Sequence, residues 1–315
     1  MSAQDNKQAR GVFTAKVRSN RKIWPSFYKL LIEFSGDGAE AFARCRPGQF
    51  AQFDLSGAAL PPDEAIPVDL ADSAHRSVLL RRPFSFSDVT VKNSVVFVEV
   101  LYGAVGPCSL RMTTLKAADS ITVIGPLGTG FSVPQAKKTA LLVVGGMGAG
   151  PLEHVAKVLT EERPDMQVQA FAGANSAEAL PFERRLDELS QGVGFSLAEF
   201  ARFGIESQVA TDDGSAGYRG LVTDCFVEWL EQAHLEAKDA VIFACGPEAM
   251  LARIAELARN RNIDCQISME RRMACGIGVC QSCVVECRGE NGESAYKLCC
   301  KDGPVFNSSE VIFKP

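Results

Sequence analysis

The sequence predicts two sheet architectures in one chain: a small antiparallel β-barrel over residues 1–135, then a doubly wound parallel α/β sheet over 136–269. A short segment, 270–315, follows and fits neither. Three observations carry this prediction. Short alternating or β-branched runs, punctuated by Gly and Pro, fill the first part. Apolar strand-like runs alternate with helical stretches in the middle. Six of the eleven cysteines crowd into the last part, which has no long periodic pattern and is expected to fold around something other than an apolar core.

In the first part, 11–18, 27–34, 49–55 and 94–101 have strand length and composition, with breaks at Arg46-Pro47-Gly48 and Gly125-Pro126-Leu127-Gly128. Several short strands with such breaks suggest a barrel. Residues 57–77, with three prolines and several acids, read as a solvated insertion or as a lid over a bound ligand. In the middle part, strands are expected at 139–144, 168–171, 207–210 and 240–244, each followed by a helix, at 152–159, 180–189, 222–230 and 249–258. That alternation implies a parallel sheet with helices on both faces.

Composition narrows the class. The 315 residues are 46% hydrophobic and 23% charged, normal for a globular chain, and the net charge is −5. A nucleic-acid binder would need a basic face instead. No apolar run approaches the roughly 20 residues of a membrane span. The start lacks a secretion pattern, so a soluble, cytoplasmic protein is expected, with no membrane partner. In a reducing compartment clustered thiols bind metal or do redox chemistry more often than they form disulfides. Cys45, Cys108, Cys225 and Cys265 stand apart and read as small buried apolar side chains.

The tail reads Cys275-Gly-Ile-Gly-Val-Cys280-Gln-Ser-Cys283, with Cys299 and Cys300 further on. This is the C-x4-C-x2-C…C spacing of plant-type [2Fe–2S] sites. A tight loop must aim several thiolates at one cluster, and Gly276 and Gly278 allow the close approach this needs. Zinc is the competitor, but zinc sites usually pair two Cys-x2-Cys hooks. Either Cys299 or Cys300 supplies the fourth ligand, and Cys287 is expected off the loop. Upstream, Gly145-Gly146-Met-Gly148-Ala-Gly150 joins a strand to a helix, as a pyrophosphate-binding turn does. Cys245-Gly246-Pro247 is a second strand end of the same kind. In the barrel part, Arg82 offers a fork for phosphate, Pro83 stiffens the backbone and Ser85 is placed to hydrogen-bond a flavin.

In that order, the barrel, Arg82-Pro83-Phe84-Ser85, the Gly-Gly-x-Gly turn and Cys-Gly-Pro resemble the ferredoxin–NADP reductase superfamily. The tail, from Ser268-Met-Glu270-Arg-Arg272 to Cys283 and from Cys300 to Phe306, is similar to the electron-transfer subunits of two-subunit, NAD-linked dihydroorotate dehydrogenases. So is Asp212-Asp213-Gly214-Ser215 with Gly217 and Gly220. The resemblance implies FAD in the first domain, NAD in the second and a [2Fe–2S] cluster in the tail. It places FAD on Arg82, Pro83, Phe84, Ser85, Leu101, Tyr102, Gly103, Cys108 and Ser109. It places the nicotinamide nucleotide on Gly145, Gly146, Gly148, Cys245 and Gly246. It gives the cluster to Cys275, Cys280, Cys283 and Cys300. The family often has Arg where Gly103 stands and Gly where Cys108 stands, so the FAD phosphates are expected to have fewer charged partners here.

The implied activity is an oxidoreductase subunit for pyrimidine biosynthesis, with no acid–base residue of its own. Electrons would pass from an FMN-containing dihydroorotate dehydrogenase catalytic subunit, in a heterotetramer, through the cluster and FAD to NAD. A reductase module for a hydrogenase, a sulfite reductase or a ferredoxin is the alternative. A zinc-binding interaction module is the non-enzymatic one. NAD is expected over NADP, because the stretch 171–180 after the second strand holds Glu178 and no Lys or Arg.

Overall fold

The computed structural model describes residues 9–189, 192–289 and 291–314. Seven antiparallel strands come first: β1 (Gly11–Trp24), β2 (Phe27–Phe34), β3 (Phe50–Asp54), β4 (Arg82–Ser85), β5 (Asp88–Lys92), β6 (Val95–Gly103) and β7 (Ser120–Leu127). Short helices α1 (Gly36–Phe42), α2 (Ala71–Ala74) and α3 (Pro107–Met112) lie in their connections. The strand order is β4-β3-β7-β1-β2-β6-β5. Alternate residues point inward, as the period of a strand requires: Ala15 and Val17, Leu30, Ile32 and Phe34, Val96, Val98 and Val100 are all buried in one core. Phe34 and Phe42 stack there with centroids 4.0 Å apart.

The antiparallel architecture is as expected, but hydrogen-bonded closure into a barrel is not seen among the described residues. The edge strands β4 and β5 do not pair with each other. Pro83 in β4 has no N–H to donate, which suits an edge. Buried Phe86 and Ser87 carry the chain from one edge to the other.

The second sheet is built from β8 (Thr139–Gly145), β9 (Gln167–Ala174), β12 (Glu206–Thr211), β13 (Tyr218–Arg219), β14 (Ala240–Cys245), β15 (Asp264–Ser268) and β18 (Val305–Asn307). Two hairpins stand outside it, β10 (Arg184–Leu189) with β11 (Gly192–Leu197) and β16 (Val284–Arg288) with β17 (Ser294–Leu298). The order is β13-β12-β9-β8-β14-β15-β18, parallel except for β18. Helix α4 (Ala149–Glu162) packs Leu152, Val155 and Leu159 on one face, near the short α5 (Ala198–Ala201). Helices α6 (Val222–Gln232) and α7 (Glu248–Arg261) cover the other with Phe226, Leu230, Leu251 and Ile254. The order reverses between β8 and β14, which opens a crevice at their carboxyl ends, the ligand side of such sheets.

Two expectations are corrected. The stretch 180–189 is not a helix: a single 3₁₀ turn precedes it, and 184–189 pairs with 192–197 as a hairpin. The tail does not lack an apolar core either. Cys283, Val285, Cys287, Cys299, Phe306 and Val311 join the core beneath α6 and α7, and β18 completes the sheet against β15.

Buried charge joins the two sheets. Lys29 of β2 lies 2.9 Å from Glu153 of α4, 3.3 Å from Glu199 of α5 and 3.6 Å from Glu99 of β6. Burial pushes the Glu153 carboxyl up to about 8, against the pull of Lys29, and Glu199 and Glu99 add to the rise. Burial also opposes the charge on Lys29, but Glu153, Glu99 and Glu199 together hold its pKa above the ordinary value. Beside them Lys157 of α4 pairs with Asp88 and donates to the Val89 carbonyl at 2.9 Å and to Thr90 Oγ1 at 2.6 Å. No described helix is long and apolar enough to cross a membrane.

Candidate functional site

The strand-to-helix turn after β8 is shaped by what it cannot hold. A Cβ at Gly148 would overlap the Cys245 carbonyl, and one at Gly145 would stand 2.6 Å from Pro247 Cδ. A Cβ at Gly246 would come within 2.9 Å of Gly145. The carboxyl ends of β8 and β14 therefore touch through glycine alone, which lets a ligand approach backbone. Across from them stand β4 and the end of β6. The start of α4 reaches this wall: a Cβ at Gly150 would lie 3.6 Å from Leu101 Cβ and 3.9 Å from Ser85 Oγ.

Between these walls lies a cavity of about 920 Å³. It is lined by Arg82, Pro83, Phe84 and Ser85, by Leu101, Tyr102 and Gly103, by Cys108 and Ser109, by Gly145, Gly146 and Gly148, and by Cys245 and Gly246. Every residue that the sequence assigned to a nucleotide or flavin is thus on one wall or another. The tail contributes Glu270, Arg271 and Met273. Residues that sequence reading missed also line it: Arg76 and Ser77 of the insertion, Val78 just after it, and Met147 of the glycine-rich turn.

The insertion is docked, not merely solvated. Leu70 and Ala74 pack on Leu110 of α3, with Leu60 and Ile66 alongside, and Arg111 donates to the Ala74 carbonyl at 3.1 Å. Most of its other residues are exposed, as the solvated reading expects. The Ser109 hydroxyl is engaged locally, accepting from the N–H groups of Val105 at 2.9 Å and Gly106 at 3.1 Å. Burial pushes the Cys108 thiol up to about 11, although Arg82 and Arg111 pull it down, so this cysteine is a neutral wall residue.

A second cavity, of about 650 Å³, shares Arg82, Pro83, Gly246, Pro247 and Arg271 with the first and continues to Ala274 and Ser282 of the cysteine loop. The loop turns at Gly276 and Gly278, with φ of +71° and +85° that favour glycine. Two N–H groups, of Ile277 and Cys280, approach Cys275 Sγ at 3.5 and 3.4 Å, and the Cys300 N–H approaches Cys283 Sγ at 3.4 Å. N–H groups aimed at sulfur suit a set of thiolates. The Ser282 hydroxyl, then the N–H groups around it, hold the exposed Cys280 thiol down to about 6.

The adjacent cysteines face opposite ways. Burial and the Cys283 thiol push Cys300 up to about 12, while the Gly278 N–H pulls it down, so Cys300 faces the loop. Cys299 is fully buried and donates to the Met269 carbonyl at 3.2 Å. Cys287 is also fully buried, on β16. Among the described residues no three Cys, His, Asp or Glu side chains converge on a single ion position.

A curled antiparallel sheet and a doubly wound sheet sharing one cavity, with a cysteine loop at its end, define a flavin- and NAD-dependent oxidoreductase with an iron–sulfur segment. Known proteins agree. A family model for the iron–sulfur cluster binding domain of dihydroorotate dehydrogenase B matches residues 270–312, and one for the oxidoreductase NAD-binding domain matches 142–256. Among solved structures, an NADH-dependent reduced ferredoxin–NADP oxidoreductase studied for flavin-based electron bifurcation superposes with TM-score 0.69 at 24% identity, covering 95% of this chain and 89% of that one. A Neisseria gonorrhoeae ferredoxin–NADP⁺ reductase with bound FAD and NADP gives TM-score 0.55 at 16% identity, over 84% and 95% of the two chains. The dihydroorotate dehydrogenase B (NAD(+)) electron transfer subunit of Caldanaerobacter subterraneus subsp. tengcongensis is 31% identical over 299 residues, 95% of this chain and 98% of its own. That of Bacillus caldolyticus is 38% identical over 253 residues, 80% and 86% of the two chains. The chain belongs to the family of dihydroorotate dehydrogenase B electron transfer subunits.

Proposed function

We propose that this chain takes electrons from an FMN-bearing catalytic subunit that oxidises dihydroorotate, and delivers them to NAD in pyrimidine biosynthesis. The observation that carries the reading is the pair of joined cavities. They link the cysteine loop to the wall at Arg82–Ser85 and to the glycine turn at Gly145–Gly148. Bound FAD supplies the exchange between hydride and single electrons that NAD and a [2Fe–2S] cluster require.

The residues divide the work of holding. Arg82 offers guanidinium N–H groups to the FAD pyrophosphate. Pro83, Phe84, Ser85, Leu101, Tyr102 and Gly103 flank the flavin, with Cys108 and Ser109 at its phosphate end. Gly145, Gly146 and Gly148 admit the NAD pyrophosphate to backbone, and Cys245 and Gly246 bound the nicotinamide. Cys275, Cys280, Cys283 and Cys300 ligate the cluster. In this reading residues 1–135 form the FAD domain, 136–269 the NAD domain and 270–315 the cluster segment of a cytoplasmic heterotetramer. The exposed Ile277 and Val279 stand on the loop that meets the catalytic subunit.

The test is reconstitution. The purified chain should pass electrons from NADH to artificial acceptors and form no orotate from dihydroorotate by itself. Adding the FMN subunit from the same cell should give NAD-dependent orotate formation. Orotate production by this chain alone, or failure to bind that subunit, would reject the reading.

A further inference from the structure

On β3, Ala51 and Phe53 face the core of the first sheet. Phe50 faces the other way, into the core that holds Cys283, Cys299, Cys300 and Phe306. Strand period puts Gln52 on the same side as Phe50. Gln52 is fully buried, and among the described residues neither its Nε2 nor its Oε1 has a hydrogen-bond partner. Its amide lies against Gly276, next to Cys275: any Cβ at Gly276 would overlap Gln52 Nε2. It lines neither cavity. A buried amide group left unpaired is costly, and a Leu or Met at this position would avoid that cost.

We propose that Gln52 donates a hydrogen bond from Nε2 to a sulfur at the Cys275 end of the iron–sulfur cluster, and so favours the cluster's reduced state. This rests on the cluster reading above. Reduction adds negative charge to the sulfurs, so a fixed donor stabilises the reduced form more than the oxidised one. The donor is well fixed. Gln52 pairs with Pro83 of β4 and with Ile124 of β7, inside the sheet that walls the flavin cavity. The same strand pair therefore places both the flavin wall and the donor. Gln52 is a positioning and tuning residue, not a catalytic one.

The experiment is a redox titration of the purified, cluster-loaded chain and of Gln52→Met, which keeps length and removes the donor. Electron paramagnetic resonance follows the cluster and absorbance follows the flavin. Gln52→Met should make cluster reduction about tenfold less favourable, a fall of about 59 mV for a one-electron couple, with the flavin potential unchanged. If Gln52→Met does not accumulate folded, Gln52→Leu, which also removes the donor, carries the test with the same expected fall. A fully loaded variant with unchanged cluster potential and signal, altered only in melting temperature, would make Gln52 a packing residue and overturn the proposal. A native chain with no iron and sulfide would instead defeat the cluster reading itself.

Discussion

Cys299 and Cys300 show how much a single peptide step decides. One thiol is turned to the Met269 carbonyl in the core, the other towards Cys283 and the loop. Cys300→Ser should therefore abolish the cluster, whereas Cys299→Ser and Cys287→Ser should retain iron and sulfide at native stoichiometry by chemical analysis. A cluster-free Cys299→Ser protein that is otherwise folded would reverse the assignment. Three of the proposed ligands could be named from spacing, because a C-x4-C-x2-C loop constrains its own geometry. The fourth could not, since adjacent residues in a turn differ only in which way the backbone points them; the family resemblance, not the spacing, favoured Cys300. Gln52 was illegible for a similar reason. A glutamine in a strand looks ordinary until the element across from it is known.

At the scale of elements, the insertion is mostly exposed, as expected, yet anchored. Its prolines and acids suggested solvent, but Leu70 and Ala74 anchor it to α3 and bring Arg76 to the cavity wall. Arg76 lines the same cavity as Gly103 and Cys108, where the family's usual residues are replaced, and in the proposed arrangement it would serve the FAD phosphates. Losing one charge-assisted hydrogen bond costs about 1.5–3 kcal/mol, so Arg76→Ala should weaken FAD retention by about tenfold or more. Equilibrium binding of FAD to the flavin-free chain, read by flavin fluorescence, measures this. The strands and helices at 139–174 and 206–258 were legible because apolar period and length agree there. The stretch 180–189 was misread because its charged and apolar residues fit a helical period, and the adjacent run at 192–197, with which 184–189 pairs, was not read as a strand. Cofactor choice belongs here too. After β9 stands exposed Glu178, and the neighbouring turn adds Asp212 and Asp213, with Arg219 folded over Gly214. NADH should exceed NADPH as electron donor to an artificial acceptor, and equal kcat/KM would contradict this.

Across the whole molecule, the buried charges at Lys29 tie stability to pH. The Glu153 carboxyl rises from 4.5 to about 8 on folding, so between those values the folded chain holds a proton that the unfolded chain has lost. Stability from this group is therefore full below about pH 4.5 and declines as pH rises towards 8. Glu153→Gln should flatten that decline in melting temperature measured from pH 5 to 8. Lys29→Met should destabilise by about 3–5 kcal/mol at the upper end of this range, where it leaves the Glu153 carboxylate buried without its cation, and by less at pH 5.

The seating of β18 against β15 has a consequence for how this chain meets other molecules. A redox centre carried on a tethered arm can swing, visiting donor and acceptor in turn. Here the loop is clamped between two hairpin strands and a segment woven into the nucleotide sheet, so such shuttling is closed to it. The relay behaves as a fixed wire with one exposed terminal, and all the travel must be done by what plugs into it.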